Sequence, residues 1–199
     1  MNAARILLVL SLLDPVLQLD HAVRDAVQHA RGPACEGVMR VVSDAGRPAL
    51  VFAGLAAIAF VDEAGGLVTA RAALLALVPT NLAVEITKYT VNRVRPDGDT
   101  RRRNSSFPSG HAANAMALAW MLSRRWPRAR WALFAYAAVV SFSRMYLDRH
   151  FLSDVVVAGI LGIACSMLIV RLWPALDPAR VRKPDGHDRG GAIAMAPEG

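Results

Sequence analysis

The feature that most constrains the fold is a succession of apolar runs separated by short polar connections rich in arginine. Apolar residues make up 54% of the chain, a high share for a soluble protein, and they are concentrated in these runs. Such alternation is typical of helices that cross a membrane several times. The runs cover residues 6–19, 48–61, 67–87, 111–123, 131–147 and 151–173. The sequence therefore predicts an all-α integral-membrane helical bundle of about five to six transmembrane helices.

The two ends of the chain differ from this core. The first apolar run is broken by Asp14 and Pro15, which indicates a first membrane segment or an anchor lying in the interface. Residues 20–44 mix apolar and charged positions, which predicts an N-terminal amphipathic helix on the membrane surface, interrupted at a Gly-Pro pair. After residue 173, Pro, Gly and charged residues dominate, so a disordered tail is expected. The predicted divisions are an N-terminal segment 1–46, a transmembrane core 47–173 and a basic tail 174–199.

The net charge of +7 could indicate a nucleic-acid partner, but the arginines lie between apolar runs and not along one soluble face. A membrane protein that acts on anionic lipid headgroups explains the same charge, so we expect membrane lipids as partners and no nucleic acid. Cys35 and Cys165 are far apart, and neither a disulfide framework nor a metal site is indicated. The sequence leaves the oligomeric state open.

If the apolar runs alternate across the membrane, three polar segments lie at one membrane face: 88–96, 108–111 and 143–154. The basic residues are shared almost equally between the two sides, so the positive-inside rule does not fix the orientation. When cations that could bind an anion are discounted, the side of the C-terminal tail is the more positive one. That balance favours a cytoplasmic tail and places the three polar segments on the other side.

The first polar segment contains two cations. Lys88 and Arg95 are seven residues apart, so a helix continuing through them would direct both side chains one way, and Pro96 discourages any further extension. Both cations could equally be interfacial residues whose charged ends extend toward water at the end of a membrane span.

The second segment opens an apolar run with Ser109, Gly110 and His111. Ser109 is a good N-cap, and Gly110 allows a ligand to approach the backbone. The free amides at a helix start favour an anion, which would lie beside His111. The alternative is an ordinary capped helix start that tolerates a histidine.

The third segment combines Arg144, His150 and Asp154. In a helix, residues four apart share a face, so Asp154 could hold the imidazole of His150 beside a cation, as a phosphoryl-transfer nucleophile requires. The alternative is a helix start capped by Asp148 with a chance histidine. Together the three segments supply cations, a helix N-terminus, two histidines and a carboxylate, and a metal-free phosphate site accounts for all of them.

These segments resemble the three-part signature of the type 2 phosphatidic acid phosphatase superfamily, which includes bacterial membrane lipid phosphatases and the vanadium haloperoxidases. The matching residues are Lys88-x6-Arg95-Pro96, Pro108-Ser109-Gly110-His111 and Ser143-Arg144-x5-His150-x3-Asp154. The parts occur in order over roughly residues 80–165. Each part is a weak motif alone, whereas the ordered triple is specific.

The resemblance implies a catalytic role for each matched residue. His150 would be the nucleophile that forms a phosphohistidine, Asp154 would orient it, and His111 would protonate the leaving group. The phosphate oxygens would be bound by Lys88, Arg95, Ser109, Gly110 and Arg144. No metal or cofactor is expected, because protein cations can stabilise the phosphoryl group. The resemblance also implies a bacterial-type inner (cytoplasmic) membrane, with the site facing away from the cytoplasm.

The implied function is a membrane phosphatase that hydrolyses a lipid phosphate or diphosphate without a metal. Two alternatives are vanadate-dependent halide oxidation in the same pocket and a catalytically silent phospholipid-binding membrane protein. The short, membrane-embedded chain disfavours the first, and the complete set of His111, His150 and Asp154 disfavours the second. The signature recognises the phosphoryl group and not the attached lipid, so the lipid itself is left open.

Overall fold

A computed structural model describes residues 3–101 and 104–181 of the chain, and these residues form seven α-helices joined by loops and short 3-10 turns. Within these residues the all-α prediction is confirmed. The helices are α1 (Ala3–His29), α2 (Pro33–Ala45), α3 (Pro48–Val61), α4 (Gly66–Val91), α5 (Gly110–Arg125), α6 (Arg130–Tyr146) and α7 (Leu152–Leu172). Helices α3 to α7 coincide with the apolar runs of the sequence to within a few residues.

Helix α5 lies at the centre of the bundle, in contact with α4, α6 and α7. Its buried positions are almost all small, which allows the neighbouring helices to approach closely: Ala112, Ala113, Ala115, Ala117 and Ala119. On α7, a stripe of small residues faces α5. The Ser166 hydroxyl donates a hydrogen bond of 3.2 Å to the backbone oxygen of Ala117. A Cβ atom added to Gly162 would lie 2.1 Å from the backbone oxygen of Ala113.

The outer surface of the bundle is apolar, as expected for helices that face lipid. Phe60 on α3 is 84% exposed and Ile160 on α7 is 64% exposed. By length and hydropathy α4 and α7 can each cross a membrane, and the bent pair α2 and α3 provides a third span if the two helices act as one. Two to three candidate spans are therefore present in the described part of the chain.

The N-terminal region is helical on both sides of the predicted interruption, because α1 ends at His29 and α2 begins at Pro33. Its arrangement differs from a helix lying only on a membrane surface, because polar side chains of α1 contact the protein. The Arg24 guanidinium donates to both carboxylate oxygens of Asp148, at 2.7 and 2.8 Å. The Gln28 amide donates to the backbone oxygen of Met145 at 3.0 Å.

The start of the predicted tail packs against the bundle. Residues 174–176 and 178–180 form two 3-10 turns. Between the turns, buried Asp177 accepts a hydrogen bond of 2.7 Å from the Nε of Arg124 at the end of α5. The rest of that tail, residues 182–199, lies outside the described residues, as do residues 102–103.

The contact between α5 and α7 generates a test of the bundle. We expect Gly162→Ala to lower the stability by about 1–3 kcal/mol, because the new methyl group meets the backbone of α5 and not a flexible side chain. Thermal unfolding in detergent micelles measures the change. Gly54→Ala on α3 is the matched control, since nothing lies within 4 Å of its added Cβ. An equal or smaller loss of stability in Gly162→Ala than in Gly54→Ala would contradict the close packing.

Candidate active site

The three polar segments meet at the end of the bundle where α4 and α6 end and α5 and α7 begin. The Ser106 hydroxyl, in the loop before α5, contacts the carboxylate of Asp154 in the first turn of α7. The backbone nitrogen of Ser109 donates to the backbone oxygen of Asp154 at 3.1 Å. His111 lies close enough to Lys88 and His150 for their charges to act on it. The structure therefore brings the second and third segments into direct contact, and the charge of Lys88 acts on His111.

The path of the first segment differs from the expected continuous helix. Helix α4 ends at Val91, and Asn92 adopts a left-handed conformation with φ of 47°, so Arg95 lies in the following loop. The Nε of Arg95 donates to the backbone oxygen of Asn104 at 2.7 Å. On the last turn of α4, the Lys88 ammonium lies 2.8 Å from a Glu85 carboxylate oxygen. Lys88 and Arg95 therefore do not lie on one continuing helix, although the charges of both act on His111.

The Ser109 hydroxyl does not make the expected cap. Ser109 occupies the N-cap position of α5 in an extended conformation, but its side chain accepts no cap hydrogen bond. Its Oγ is fully buried and has no hydrogen-bond partner among the described residues. A Cβ added to Gly110 would meet only Val84, at 3.7 Å, so the Cβ side of this residue is otherwise open. An unpartnered buried hydroxyl is available to a ligand.

Arg144, on the last turn of α6, reaches across to the N-terminal region. Its Nη1 donates to the hydroxyl of Ser43 on α2, and its Nε is buried without a hydrogen-bond partner in the described part of the chain. Nearby, the bend between α2 and α3 approaches the histidine of α5, because a Cβ on Gly46 would lie 3.0 Å from the His111 ring. Helix α2 therefore forms part of the wall of the site.

His150 lies in the connection between α6 and α7, with 4% of its surface exposed. Its Nδ1 is 2.7 Å from the backbone oxygen of Ser106. Since a carbonyl oxygen can only accept, Nδ1 carries the proton in this contact and Nε2 has the free lone pair in the neutral ring. Burial lowers the pKa of His150, and Arg144 and Arg95 lower it further, while Asp154 opposes the shift. The imidazole therefore stays neutral to a lower pH than usual.

Asp154 holds His150 indirectly and not through a short hydrogen bond to the ring. Its nearest carboxylate oxygen is 3.8 Å from Nδ1, and the Ser106 carbonyl takes the shorter contact. The fully buried carboxylate instead accepts hydrogen bonds from three donors. These are the Ser106 hydroxyl, the Phe151 backbone nitrogen at 2.8 Å and Arg93 at 2.7 Å. Asp154 thus holds the loop whose carbonyl orients His150, and it adds a negative charge behind the ring.

A cavity of about 650 Å³ adjoins the cations of the site. Arg95 and Arg144 line it from the loop and from α6. The N-terminal region adds three further basic residues to its lining: Arg31, Arg40 and Arg47. Among the described residues no group of three His, Cys, Asp or Glu side chains is placed to hold a metal ion. With Arg149, the lining has six arginines against the three carboxylates of Asp44, Asp97 and Asp148, so its net charge is positive and favours an anion.

Sequence reasoning did not find Arg93, Ser106 or Asp20. Arg93 donates to Asp154 and also to Asp20 of α1, at 2.8 Å. Arg93 lies just after the end of α4 and Ser106 lies in a loop, and no periodic pattern in the sequence distinguishes either residue. For Asp20 a signal existed, since Asp20, Arg24 and Gln28 recur every four residues and therefore share one face of α1.

The fold and the site define a helical membrane protein with two histidines and several cations gathered at one end of its bundle. A sequence model of the PAP2 superfamily matches residues 69–177, more than half of the chain, and the chain belongs to that superfamily. The matched residues include α5, α6, α7 and most of α4. Helices α1, α2 and α3 lie outside the match.

Curated relatives are phosphatases and a synthase. The chain is 38% identical over 105 residues to a lipid A 1-phosphatase of Porphyromonas gingivalis, covering 51% of this chain and 22% of the relative. It is 32% identical over 97 residues to an undecaprenyl-diphosphatase of Sulfolobus acidocaldarius, covering 44% of this chain and 47% of the relative. It is 36% identical over 77 residues to the catalytic subunit of an inositol phosphorylceramide synthase of Schizosaccharomyces pombe, covering 38% of this chain and 18% of the relative. The chain thus spans less than half the length of these relatives.

Two solved structures share the fold. LpxE of Aquifex aeolicus superposes with a TM-score of 0.67 at 25% identity, covering 77% of this chain and 95% of that one. A transmembrane PAP2-type phosphatidylglycerolphosphate phosphatase from Bacillus subtilis gives a TM-score of 0.65 at 25% identity, covering 80% and 86%. The similarity therefore extends beyond the matched family segment.

The unpartnered Nε of Arg144 generates a test of anion binding. We expect orthovanadate or phosphate to raise the midpoint temperature of unfolding of the wild-type protein. At a ligand concentration roughly 100 times Kd, binding should add about 2.7 kcal/mol to the free energy of unfolding. Arg144→Gln should abolish most of that increase, because it removes a charge that faces the site. The control is Arg130→Gln, where the guanidinium stacks on Trp131 at 5.0 Å at the other end of α6. Equal increases in both variants would contradict an anion site at Arg144.

Proposed function

We propose that this protein is an integral-membrane phosphatase that hydrolyses a lipid phosphate or diphosphate through a phosphohistidine on His150, without a metal. The observation that carries the proposal is the 2.7 Å contact between His150 Nδ1 and the Ser106 carbonyl. This contact leaves Nε2 as the free nucleophilic atom in a group of cations. Membership of the PAP2 superfamily and the names of the relatives support the reaction class.

In the first step the phosphate group enters the positive cavity. Lys88, Arg95 and Arg144 stabilise its negative charge. This is their main contribution, because a phosphoryl-transfer site acts chiefly by stabilising the charge on the oxygens of the transferred phosphoryl group. The unpartnered Ser109 hydroxyl and the open backbone at Gly110 supply neutral hydrogen bonds. Binding thereby gives partners to the Ser109 Oγ and the Arg144 Nε, the two buried side-chain polar atoms that lack a hydrogen-bond partner among the described residues.

In the second step Nε2 of His150 attacks the phosphorus atom. A P–N bond forms, the bond between phosphorus and the leaving oxygen breaks, and His111 donates a proton to that oxygen. The ring of His150 gains positive charge as the bond forms. The Asp154 carboxylate lies behind the ring and favours that charge, and the Ser106 carbonyl keeps the proton on Nδ1.

In the third step water hydrolyses the phosphohistidine. His111, now neutral, accepts a proton from the attacking water, the P–N bond breaks, and its electron pair returns to Nε2 of His150. Inorganic phosphate leaves, and both histidines regain their starting protonation states. The two histidines thus need opposite protonation states at the start of each cycle.

The membrane arrangement follows from the same proposal. Helices α3 to α7 cross the membrane, and α1 provides a sixth apolar segment at its N-terminal half. Helix α5 needs no long apolar surface, because it is enclosed by α4, α6 and α7. The site then lies at one membrane face, where a lipid headgroup reaches the cations while its chains stay among the apolar outer faces. In the family arrangement this is the extracytoplasmic face of an inner membrane.

The central test is phosphate release by the purified protein from a panel of lipid phosphates and diphosphates. We expect His150→Ala to lower kcat by about a thousandfold or more, because the nucleophile is lost. Activity should be unchanged in EDTA, because protein cations stabilise the phosphoryl group. The control is His29→Ala, which removes an exposed histidine at the end of α1.

Loss of activity in EDTA would refute the metal-free mechanism. Undiminished activity in His150→Ala would refute the phosphohistidine. Vanadate-dependent bromination without any phosphate release would move the assignment to halide oxidation.

The pH dependence gives a separate test. At low pH His150 becomes protonated and loses its free electron pair, and at high pH His111 loses the proton that it must donate. A bell-shaped profile of kcat/KM is therefore expected. Because burial lowers the pKa of His150, the acid limb should lie below the ordinary histidine value of about 6.5. A profile that lacks either the acid or the alkaline limb over the whole pH range in which the protein stays folded would contradict two histidines with opposite roles.

A further inference from the structure

Helix α1, which lies outside the matched family segment, docks on the site through a polar face. Asp20, Arg24 and Gln28 are spaced four residues apart, and each contacts a different part of the chain near His150. Arg24 binds Asp148, and Gln28 binds the backbone at the end of α6. Asp20 is 1% exposed, so its carboxylate is removed from water and needs compensation by other groups.

That compensation comes from Arg93 and from the start of α7. Arg93 donates through Nη2 to Asp20 at 2.8 Å and through Nη1 to Asp154 at 2.7 Å, so one guanidinium joins two buried carboxylates. The Ser153 backbone nitrogen and hydroxyl also donate to Asp20, at 2.8 and 2.6 Å. The guanidinium lies over the Phe151 ring at 4.2 Å, which limits its position further.

Asp20, Arg93 and Asp154 form a charge cluster, and its net charge acts on His150. Two carboxylates and one guanidinium leave one net negative charge, buried next to the residue that orients His150. Without Asp20, Arg93 would neutralise Asp154 fully. Without Arg93, two carboxylates would face each other. The cluster therefore fixes how much negative charge the ring of His150 experiences as it gains positive charge.

We propose that Asp20 and Arg93 are positioning residues for the reaction at His150: together they hold the carboxylate of Asp154 and set one net negative charge behind the nucleophile. This inference rests on the proposed role of His150. It assigns to α1 a part in the chemistry, in addition to its part in the fold. The other contacts of α1, through Arg24 and Gln28, keep the helix docked when the charge of Asp20 alone is removed.

The other charged groups that face His150 stay constant in this comparison. Arg144 acts from α6, Arg95 from the loop after α4, and His111 from the start of α5. Asp154 acts from α7. Variants at Asp20 and Arg93 leave all four of these groups in place, so a change in the titration of His150 can be assigned to the cluster.

The experiment compares the acid limb of kcat/KM in three variants with that of the wild type, on one lipid phosphate substrate. Asp20→Asn brings the net charge of the cluster to zero and should move the acid limb to lower pH by about half a unit. It should lower kcat about threefold with KM unchanged, because the phosphate-binding cations are untouched. Arg93→Gln removes the positive charge, so the cluster has two net negative charges and the acid limb should move to higher pH.

The double variant, Asp20→Asn with Arg93→Gln, is the decisive one. Its cluster again has one net negative charge, so its acid limb should return to the wild-type position even if kcat stays low. If Asp20 and Arg93 only supported the fold, the variants would lose activity, but their acid limbs would not move down, up and back to the wild-type position in this order. An acid limb that stays at one pH in all three variants would overturn the inference.

The control for loss of a buried ion pair is Asp177→Asn. Asp177 is buried and bound by Arg124 at the other end of the bundle, so the variant loses a comparable contact without changing the charge near His150. We expect lower stability and an unmoved acid limb. A shift as large as in Asp20→Asn would show that general loosening moves the limb, and would overturn the inference.

A second readout separates this inference from the proposed function. NMR titration of the histidine rings in the labelled protein, with the His150 signal assigned from His150→Gln, should give the same order of shifts without turnover. If the wild type released no phosphate but the order of shifts held, the proposed function would fail and the charge role of the cluster would stand. If turnover were normal and the order absent, only this inference would fail.

Discussion

A carboxylate removed from water is stable only when donors and opposite charge surround it, and the end of this bundle is arranged around one such carboxylate. Asp154 has no exposed surface, and its donors come from three separate segments. Ser106 belongs to the loop before α5, Phe151 to the start of α7, and Arg93 to the loop after α4. Satisfying this one group therefore fixes the relative positions of the segments that carry the candidate catalytic residues.

The N-terminal helices take part in the same arrangement, although they lie outside the segment that defines the superfamily. Asp20 completes the charge balance of Arg93, Ser43 receives a hydrogen bond from Arg144, and Gly46 approaches His111. A glycine at that bend leaves room that a larger side chain would take from the ring. The family segment thus contains the candidate catalytic residues, and helices before it contact several of them or their partners.

Much of this could be predicted from the sequence. Helices α3 to α7 are marked by apolar runs that end at charged residues, and the ordered motifs identify His111, His150 and Asp154 as one group. Contacts between distant segments could not be predicted, because Arg93 and Asp154 are 61 residues apart and Asp20 and Ser153 are 133 apart. Local rules also failed where tertiary contacts dominate: the Ser109 hydroxyl makes no cap, and α4 ends before Arg95.

The docking of α1 has a consequence for biosynthesis. The ribosome makes Asp20 and Arg24 early, but Asp148 and Ser153, which they contact, emerge only with the last two helices. Before α7 is in place, burial of the Asp20 carboxylate would remove it from water without the two hydrogen bonds that Ser153 donates to it. Docking of the polar face of α1 therefore becomes favourable only when the start of α7 supplies these donors. Assembly of the catalytic end is thus tied to completion of the whole bundle, and a partly inserted chain has no finished site.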